Sequence, residues 1–143
     1  STVDIKTVHL VRDGRAVINA YMRKNNCFST ALRRWAAPAL KAFRLKRICG
    51  TQNWLTVRYE DLAKDPETVI RGICAFLALR FDENMLNFRD TPYAGIGGNR
   101  MRTAGDNTIS LDERWRDELP VRKRCMFAVT GGFLNVIYGY PPM

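Results

Sequence analysis

The sequence predicts an α/β domain in which helices cover a parallel β-sheet. Two short apolar runs, 7–12 and 53–59, are rich in β-branched residues and are typical of strands. A stretch with helical periodicity follows each of them. Alternation of strand and helix indicates a parallel sheet, because the connection between parallel strands needs a crossover that a helix commonly supplies. We expect residues 1–143 to form a single domain.

The first helices have clear local signals. Gly14 provides a permissive turn after the first strand, and Arg15 begins a helix. A second helix is predicted over 29–46, and Pro38 within it predicts a kink or a break. Its expected apolar face consists of Leu32, Trp35, Ala36, Ala39, Leu40 and Phe43.

The helix after the second strand has the clearest boundary. Asp65 is a good N-cap, and Pro66 suits the first helical position. Its predicted inward stripe is Val69, Ile73, Phe76 and Leu77. Residues 87–108 are rich in Gly, Asn and Arg and predict a long loop.

Two more helical stretches follow that loop. Ser110 and Glu113 have the spacing of a capping box, so we expect a helix to begin there. The last stretch, "PVRKRCMFAVTGGFLNVIYGY", is typical of a buried closing helix. Gly131 and Gly132 weaken its middle.

The chain is strongly basic, with 23 Lys and Arg against 14 Asp and Glu and a formal charge of +9. This excess predicts a polyanionic partner, although a basic surface that only keeps the protein in solution is the alternative. The four cysteines form no CxxC pair and there is a single histidine, so we expect no metal site. No apolar run is long enough to span a membrane.

The short sequence "VRDGR" places charged residues where a strand ends and a helix begins. The strand delivers Arg12 to the carboxyl edge of the sheet, where ligands of open α/β sheets bind. Backbone N–H groups at the start of the helix would favour an anion there, and a guanidinium can hold a phosphate by two hydrogen bonds. Alternatively, Arg12 or Arg15 simply pairs with Asp13 or Asp61.

Three motifs in order resemble the family of sulfotransferases that use 3′-phosphoadenosine 5′-phosphosulfate (PAPS). "VHLVRDGRAVINAYMR" is similar to the 3′-phosphate-binding segment, and "WLTVRYEDLAKDPETVIRGICAFLAL" is similar to the next landmark of that family. "GIGGNRMR", "ISLDERWRDEL" and the terminal "YGY" resemble the C-terminal part of the carbohydrate-type and bacterial branch. The resemblance covers residues 5–140 and implies a P-loop-nucleotide-hydrolase-like sheet.

The resemblance implies roles for individual residues. Arg12 would hold the 3′-phosphate of the nucleotide, and Tyr59 would lie beside the adenine ring. The family commonly has a phosphate-binding serine eight residues after the arginine; Ala20 occupies that position here, and the neighbouring Asn19 could donate instead. The basic loop expected over the same phosphate contains Asn99, Arg100 and Arg102, for which a mobile basic loop is the alternative.

Two parts of the family's site are not recognisable in these residues. We find neither the Gly-rich turn that cradles the 5′-phosphosulfate nor an obvious catalytic base, and His9 within the first strand is better interpreted as structural. We therefore expect the C-terminal part of a sulfotransferase domain. A sheet without its first strand would expose an edge through which copies could associate.

These observations support three hypotheses. The first is transfer of a sulfuryl group from PAPS to a hydroxyl or amine of a glycan or small molecule, with this chain supplying the 3′-phosphate-binding half. The second is a non-catalytic nucleotide-binding or interaction module of the same fold. The third is a nucleic-acid-binding domain, which we do not expect, because most aromatic residues fall on apolar helix faces instead of within a basic patch.

Overall fold

The computed structural model describes residues 5–87, 109 and 111–143. Their helices and strands, in chain order, are β1 (Thr7–Val11), α1 (Gly14–Met22), α2 (Phe28–Cys49), β2 (Trp54–Arg58), α3 (Tyr59–Lys64), α4 (Pro66–Leu77), α5 (Trp115–Glu118), α6 (Val121–Thr130) and α7 (Gly132–Ile137). The described residues fall into two compact units. The first lies within Ser1–Tyr59 and Asp112–Met143, and the second within Glu60–Leu111.

The first unit contains the sheet. β1 and β2 pair in parallel, in a register that runs from Thr7 opposite Trp54 to Val11 opposite Arg58. This pairing confirms the predicted α/β class with a parallel sheet. Because both strands end in register, the residues that follow them, Arg12 and Tyr59, come to the same edge.

The core of the first unit lies between helices. Its buried cluster consists of Ile18, Phe28, Ala31, Trp35, Ala39, Phe127 and Leu134. The Trp35 and Phe127 rings are 5.3 Å apart between centroids. Gly14 faces both rings, and a Cβ there would lie 2.6 Å from Trp35 and 2.7 Å from Phe127. Gly14 is absent from the residues with positive φ, so close packing and not turn geometry requires a glycine.

Helix α2 differs from its prediction in two ways. It runs without a break from Phe28 to Cys49, with Pro38 inside it. Trp35 and Ala39, on either side of the proline, are buried in the core, and that packing holds the helix together. The predicted apolar face was wrong at Leu40 and Phe43, which are 46% and 38% exposed, while Ala31 and Ala42 are buried instead.

The C-terminal helices begin and end at positions set by distant contacts. Residues 111–114 are not helical, and α5 begins only at Trp115, so the predicted earlier start was wrong within the described residues; Ser110 lies outside them. The predicted closing helix divides at Gly131 into α6 and α7. A Cβ at Gly131 would lie 2.7 Å from the Phe127 ring, so the break allows close packing there.

The second unit contains most of α3 and the whole of α4. The Asp65 side chain accepts a hydrogen bond from the Thr68 N–H at 3.1 Å, and Pro66 follows at the first helical position, as predicted. Cys74 is the buried residue of α4, and the four predicted stripe residues are all partly buried. Of the helices in the described part of the chain, none has the length and apolarity needed to cross a membrane.

Candidate functional site

Arg12 lies immediately after β1, at the carboxyl edge of the sheet. Its Nη2 donates to the backbone oxygen of Asp112 at 2.8 Å and lies 3.5 Å from that residue's carboxylate. The guanidinium carbon lies 4.6 Å from the centroid of the Tyr59 ring. The buried Nε of Arg12 has no hydrogen-bond partner among the described residues. A cation is therefore held in place on two sides while one of its donors remains unused.

Arg15, the other arginine of "VRDGR", has a structural role. Its Nη2 lies 2.6 Å from Oδ2 of Asp13, and the side chains are only 4% and 7% exposed. The guanidinium carbon of Arg15 also lies 4.2 Å from the Trp115 ring centroid. The alternative of an internal ion pair is thus correct for Arg15, whereas Arg12 pairs with Asp112.

The start of α1 is closed by side chains of the protein itself. The Gly14 N–H donates to Oδ1 of Asn135 at 2.9 Å, and the Arg15 N–H donates to Oδ1 of Asp13 at 2.9 Å. Asn135 is fully buried and also donates to the Pro141 carbonyl. The prediction that this helix start presents N–H donors to an anion was therefore wrong at Gly14 and Arg15.

Asn19 and Arg12 line the same small cleft. Its other residues are Ala16, Ala20, Arg23, Asp112 and Trp115. The Asn19 amide donates to Oε2 of Glu118 at 2.7 Å, and Arg23 lies 3.7 Å from the same carboxylate. One hydrogen of the Asn19 amide is thus committed to Glu118. Trp115 is 6% exposed and packs against Ala16 and Leu119.

Arg12 also lines a larger cleft. We call it the Arg12–Tyr59 cleft; its volume is about 260 Å³, and it is lined by His9, Leu10, Val11, Arg12, Val17, Trp35, Pro38, Ala39, Tyr59 and Tyr138. Its walls are mainly apolar, and they include the Arg12 guanidinium and the phenol rings of Tyr59 and Tyr138. Such a lining suits a planar, partly apolar ligand that carries an anionic group.

The remaining predicted site residues fall elsewhere. Asn99, Arg100 and Arg102 lie outside the described residues. His9 packs edge-on between Trp54 and Tyr138, with centroid distances of 5.4 and 5.5 Å. Burial, reinforced by the positive charge of Lys46, lowers the pKa of His9 and favours the neutral imidazole.

Asp112 fixes the position of Arg12, and the sequence pattern did not single it out. The hydrogen bond from Arg114 holds the pKa of the Asp112 carboxyl well below its usual range, against the opposing effect of burial. Asp112 therefore stays ionised near neutral pH and remains a partner for Arg12. Among the described residues, no group of three or more His, Cys, Asp or Glu could hold a metal ion.

Comparison with known proteins identifies the family. A family model described as "Sulfotransferase family" matches residues 4–83, more than half of the 143 residues. The chain belongs to the sulfotransferase family. Carbohydrate sulfotransferase 5 of Mus musculus is 30% identical over 169 residues, a match that covers 96% of this chain. Carbohydrate sulfotransferase 6 of Homo sapiens is 27% identical over 172 residues, covering 99% of it.

Solved structures agree with the fold of this sulfotransferase chain. The sulfotransferase domain from the Synechococcus PCC 7002 olefin synthase has a TM-score of 0.68 and 31% identity, covering 94% of this chain and 49% of that one. The sulfotransferase domain from the curacin biosynthetic pathway has a TM-score of 0.65 and covers 94% of this chain and 53% of that one. It supports the fold alone, because the identity is 22%.

The chain spans only part of the length of the relatives it matches. The two carbohydrate sulfotransferases are covered to 42% and 43%. The resemblance drawn from "VRDGR" and "RYEDL" is confirmed at the level of family. The roles of individual residues remain predictions.

Proposed function

We propose that this chain supplies the 3′-phosphate-binding half of a sulfotransferase that takes its sulfuryl group from PAPS. The whole protein would transfer that group to a hydroxyl or amine of an acceptor. The names of the relatives, carbohydrate sulfotransferases 5 and 6, favour a glycan acceptor.

Arg12 is the observation on which the proposal mainly depends. Its guanidinium is anchored by Asp112 and Tyr59, yet its buried Nε–H has no partner among the described residues. The Arg12 side chain is 25% exposed and lines both clefts, and a phosphate oxygen is a strong acceptor for guanidinium donors. The donors present therefore fit the 3′-phosphate of the nucleotide.

The surroundings of Arg12 suit the rest of such a ligand. The Arg12–Tyr59 cleft offers apolar walls and aromatic rings for the adenosine, and in this proposal Tyr59, next to Arg12, would contact adenine. The second amide hydrogen of Asn19 would add a donor from the small cleft that Arg12 also lines. In this proposal Asn99, Arg100 and Arg102 would supply further donors to the same phosphate.

The whole protein must position the sulfate donor and remove a proton from the acceptor. The acceptor oxygen or nitrogen forms a bond to sulfur, the bond from sulfur to the 5′-phosphate oxygen breaks, and a base takes the acceptor proton. Adenosine 3′,5′-bisphosphate leaves with the displaced electron pair. Arg12 acts at the far end of the donor, where it binds and orients the nucleotide so that the transfer can occur. We assign no residue of this chain as the base.

Calorimetric titration of two nucleotides tests the proposal. Adenosine 3′,5′-bisphosphate should bind more tightly than adenosine 5′-monophosphate, which lacks the 3′-phosphate. Arg12→Ala should weaken the bisphosphate roughly 10- to 100-fold, since it removes charge-assisted hydrogen bonds, and should barely change binding of the monophosphate. Arg12→Lys should fall between, because an ammonium keeps the charge but not the planar fork.

A matched variant controls for the loss of one positive charge. Arg33 is an exposed cation of α2, and Arg33→Ala should leave both affinities unchanged. Circular dichroism establishes that the Arg12 variants remain folded. Equal weakening of both nucleotides by Arg12→Ala, or no preference for the bisphosphate in the unmodified chain, would contradict the proposal.

A further inference from the structure

A second cavity in the first unit is lined by basic side chains that the proposed nucleotide site does not use. Its volume is about 430 Å³, and it is lined by His9, Ala42, Phe43, Lys46, Arg47, Thr51, Trp54, Thr56, Arg58, Ile137, Tyr138 and Gly139. We call it the Lys46 cavity. It shares only His9 and Tyr138 with the Arg12–Tyr59 cleft.

The charged side chains that line the Lys46 cavity are all positive. Three cationic side chains line it, Lys46 and Arg47 at the end of α2 and Arg58 at the end of β2, and no Asp or Glu lies among the lining residues. Arg58 lies over the Tyr140 ring, 4.4 Å from its centroid. Within the described residues, neither Lys46 nor Arg47 has a carboxylate partner in an ion pair. Like charges gathered in a cavity repel one another, and an anion would relieve that repulsion.

His9, one of the residues that line this cavity, has a buried ring nitrogen. Nδ1 of His9 is buried and makes no hydrogen bond among the described residues. The groups around the imidazole are Lys46 from α2, Arg58 from β2 and Tyr138 after α7. The environment of His9 is therefore cationic as well as partly apolar, which favours an anion beside the ring over a second cation.

The uncharged residues of the lining indicate which class of anion would fit the cavity. Thr51 and Thr56 supply hydroxyl groups, and Ala42, Phe43 and Ile137 supply apolar surface. The rings of Trp54 and Tyr138 meet His9 edge-on, at interplanar angles of 61° and 69°, so these three rings form no parallel stack for a base to join. An acidic sugar has groups that complement this lining. Its hydroxyl groups match the threonine hydroxyls, its C–H surface matches the apolar side chains, and its carboxylate or sulfate matches the cations.

From this lining we infer that the Lys46 cavity binds an acidic saccharide. Lys46 and Arg47 contact the carboxylate or sulfate, and the hydroxyl and apolar side chains contact the ring. The inference does not depend on nucleotide binding, because the cations that carry it lie outside the Arg12–Tyr59 cleft.

Calorimetry with two disaccharides tests the inference. The charged probe is a chondroitin disaccharide bearing a carboxylate and a sulfate, and the neutral probe is lactose. The charged disaccharide should bind and lactose should not. The double variant Lys46→Gln/Arg47→Gln should weaken the charged disaccharide by roughly tenfold or more, because it removes two charged donors.

The same helix provides a matched control. Arg33→Gln/Arg44→Gln removes the same charge from exposed positions of α2 outside the lining of the cavity and should preserve binding. Equal weakening by both double variants, equal binding of lactose, or no binding of the charged disaccharide would overturn the inference. So would adenosine 3′,5′-bisphosphate losing affinity in Lys46→Gln/Arg47→Gln, because the cavity would then belong to the nucleotide.

The unmodified chain provides a readout that needs no variant. His9 is the single histidine, so its ring proton gives an isolated proton NMR signal. An anion bound beside it should stabilise the imidazolium and raise the pKa of His9, which burial and Lys46 lower from its usual value in the free protein. A His9 titration that is the same with and without saturating charged disaccharide would place that ligand elsewhere and overturn the inference.

Discussion

At the scale of single residues, the two arginines of "VRDGR" have different roles. Arg15 is buried against Asp13 and Trp115, whereas Arg12 pairs with Asp112 and keeps a buried donor unused. Asn135 completes the arrangement around Asp13 by accepting from the Gly14 N–H. The turn is therefore held by the Asp13–Arg15 pair and by Asn135 of α7, and Arg12 lies beside it.

Removing Asp13 should be strongly destabilising. Asp13→Ala would leave the Arg15 guanidinium buried without its ion-pair partner, and we expect the free energy of unfolding to fall by about 3–5 kcal/mol. Chemical denaturation followed by circular dichroism measures this change. Glu67→Ala is the matched control, because Glu67 pairs with Arg71 at 2.7 Å in a half-exposed position. A loss for Asp13→Ala as small as that for the control would show that the buried pair does not hold the turn.

At the scale of elements, glycines on two helices should respond oppositely to the same substitution. In α1, Gly14→Ala places a methyl group 2.6 Å from Trp35 and 2.7 Å from Phe127, which should cost about 1–3 kcal/mol. In α4, a methyl group at Gly72 would meet no atom within 4 Å outside its own helix, and Gly72→Ala should stabilise the helix by about 0.5–1 kcal/mol.

Hydrogen exchange measured by mass spectrometry can follow each helix separately. Gly14→Ala should speed exchange in α1, and Gly72→Ala should slow it in α4. Slower exchange of α1 in Gly14→Ala would mean that the Trp35 and Phe127 rings move aside at little cost, against the tight packing described above.

Local signals predicted some elements well. Asp65 and Pro66 mark the start of α4 because an N-cap and a first-turn proline act within a few residues. Long-range packing decided the others. Trp35 and Ala39 keep α2 continuous through Pro38, and the bond from Arg12 to the Asp112 carbonyl helps hold residues 111–114 outside the helix. Neither of these tertiary contacts can be predicted from the local sequence pattern.

At the scale of the whole molecule, the alternation of strand and helix was enough to predict a parallel α/β fold. The same pattern placed Arg12 and Tyr59 at one edge of the sheet, where the structure brings them together. It could not show Asp112 against Arg12 or Asn135 against Gly14, which are 100 and 121 residues apart in the chain. The Lys46 cavity could not be predicted either, because residues from separate elements of the chain line it. Association of copies through the sheet stays a prediction.

The most direct test of the proposed nucleotide site is phosphorus NMR of adenosine 3′,5′-bisphosphate. Its two phosphates give separate signals, so each reports on its own contacts. Adding this chain should shift or broaden mainly the 3′-phosphate signal, and Arg12→Ala should abolish that change. Perturbation confined to the 5′-phosphate, or a 3′-phosphate response that survives in Arg12→Ala, would contradict the assignment of Arg12 as the 3′-phosphate ligand.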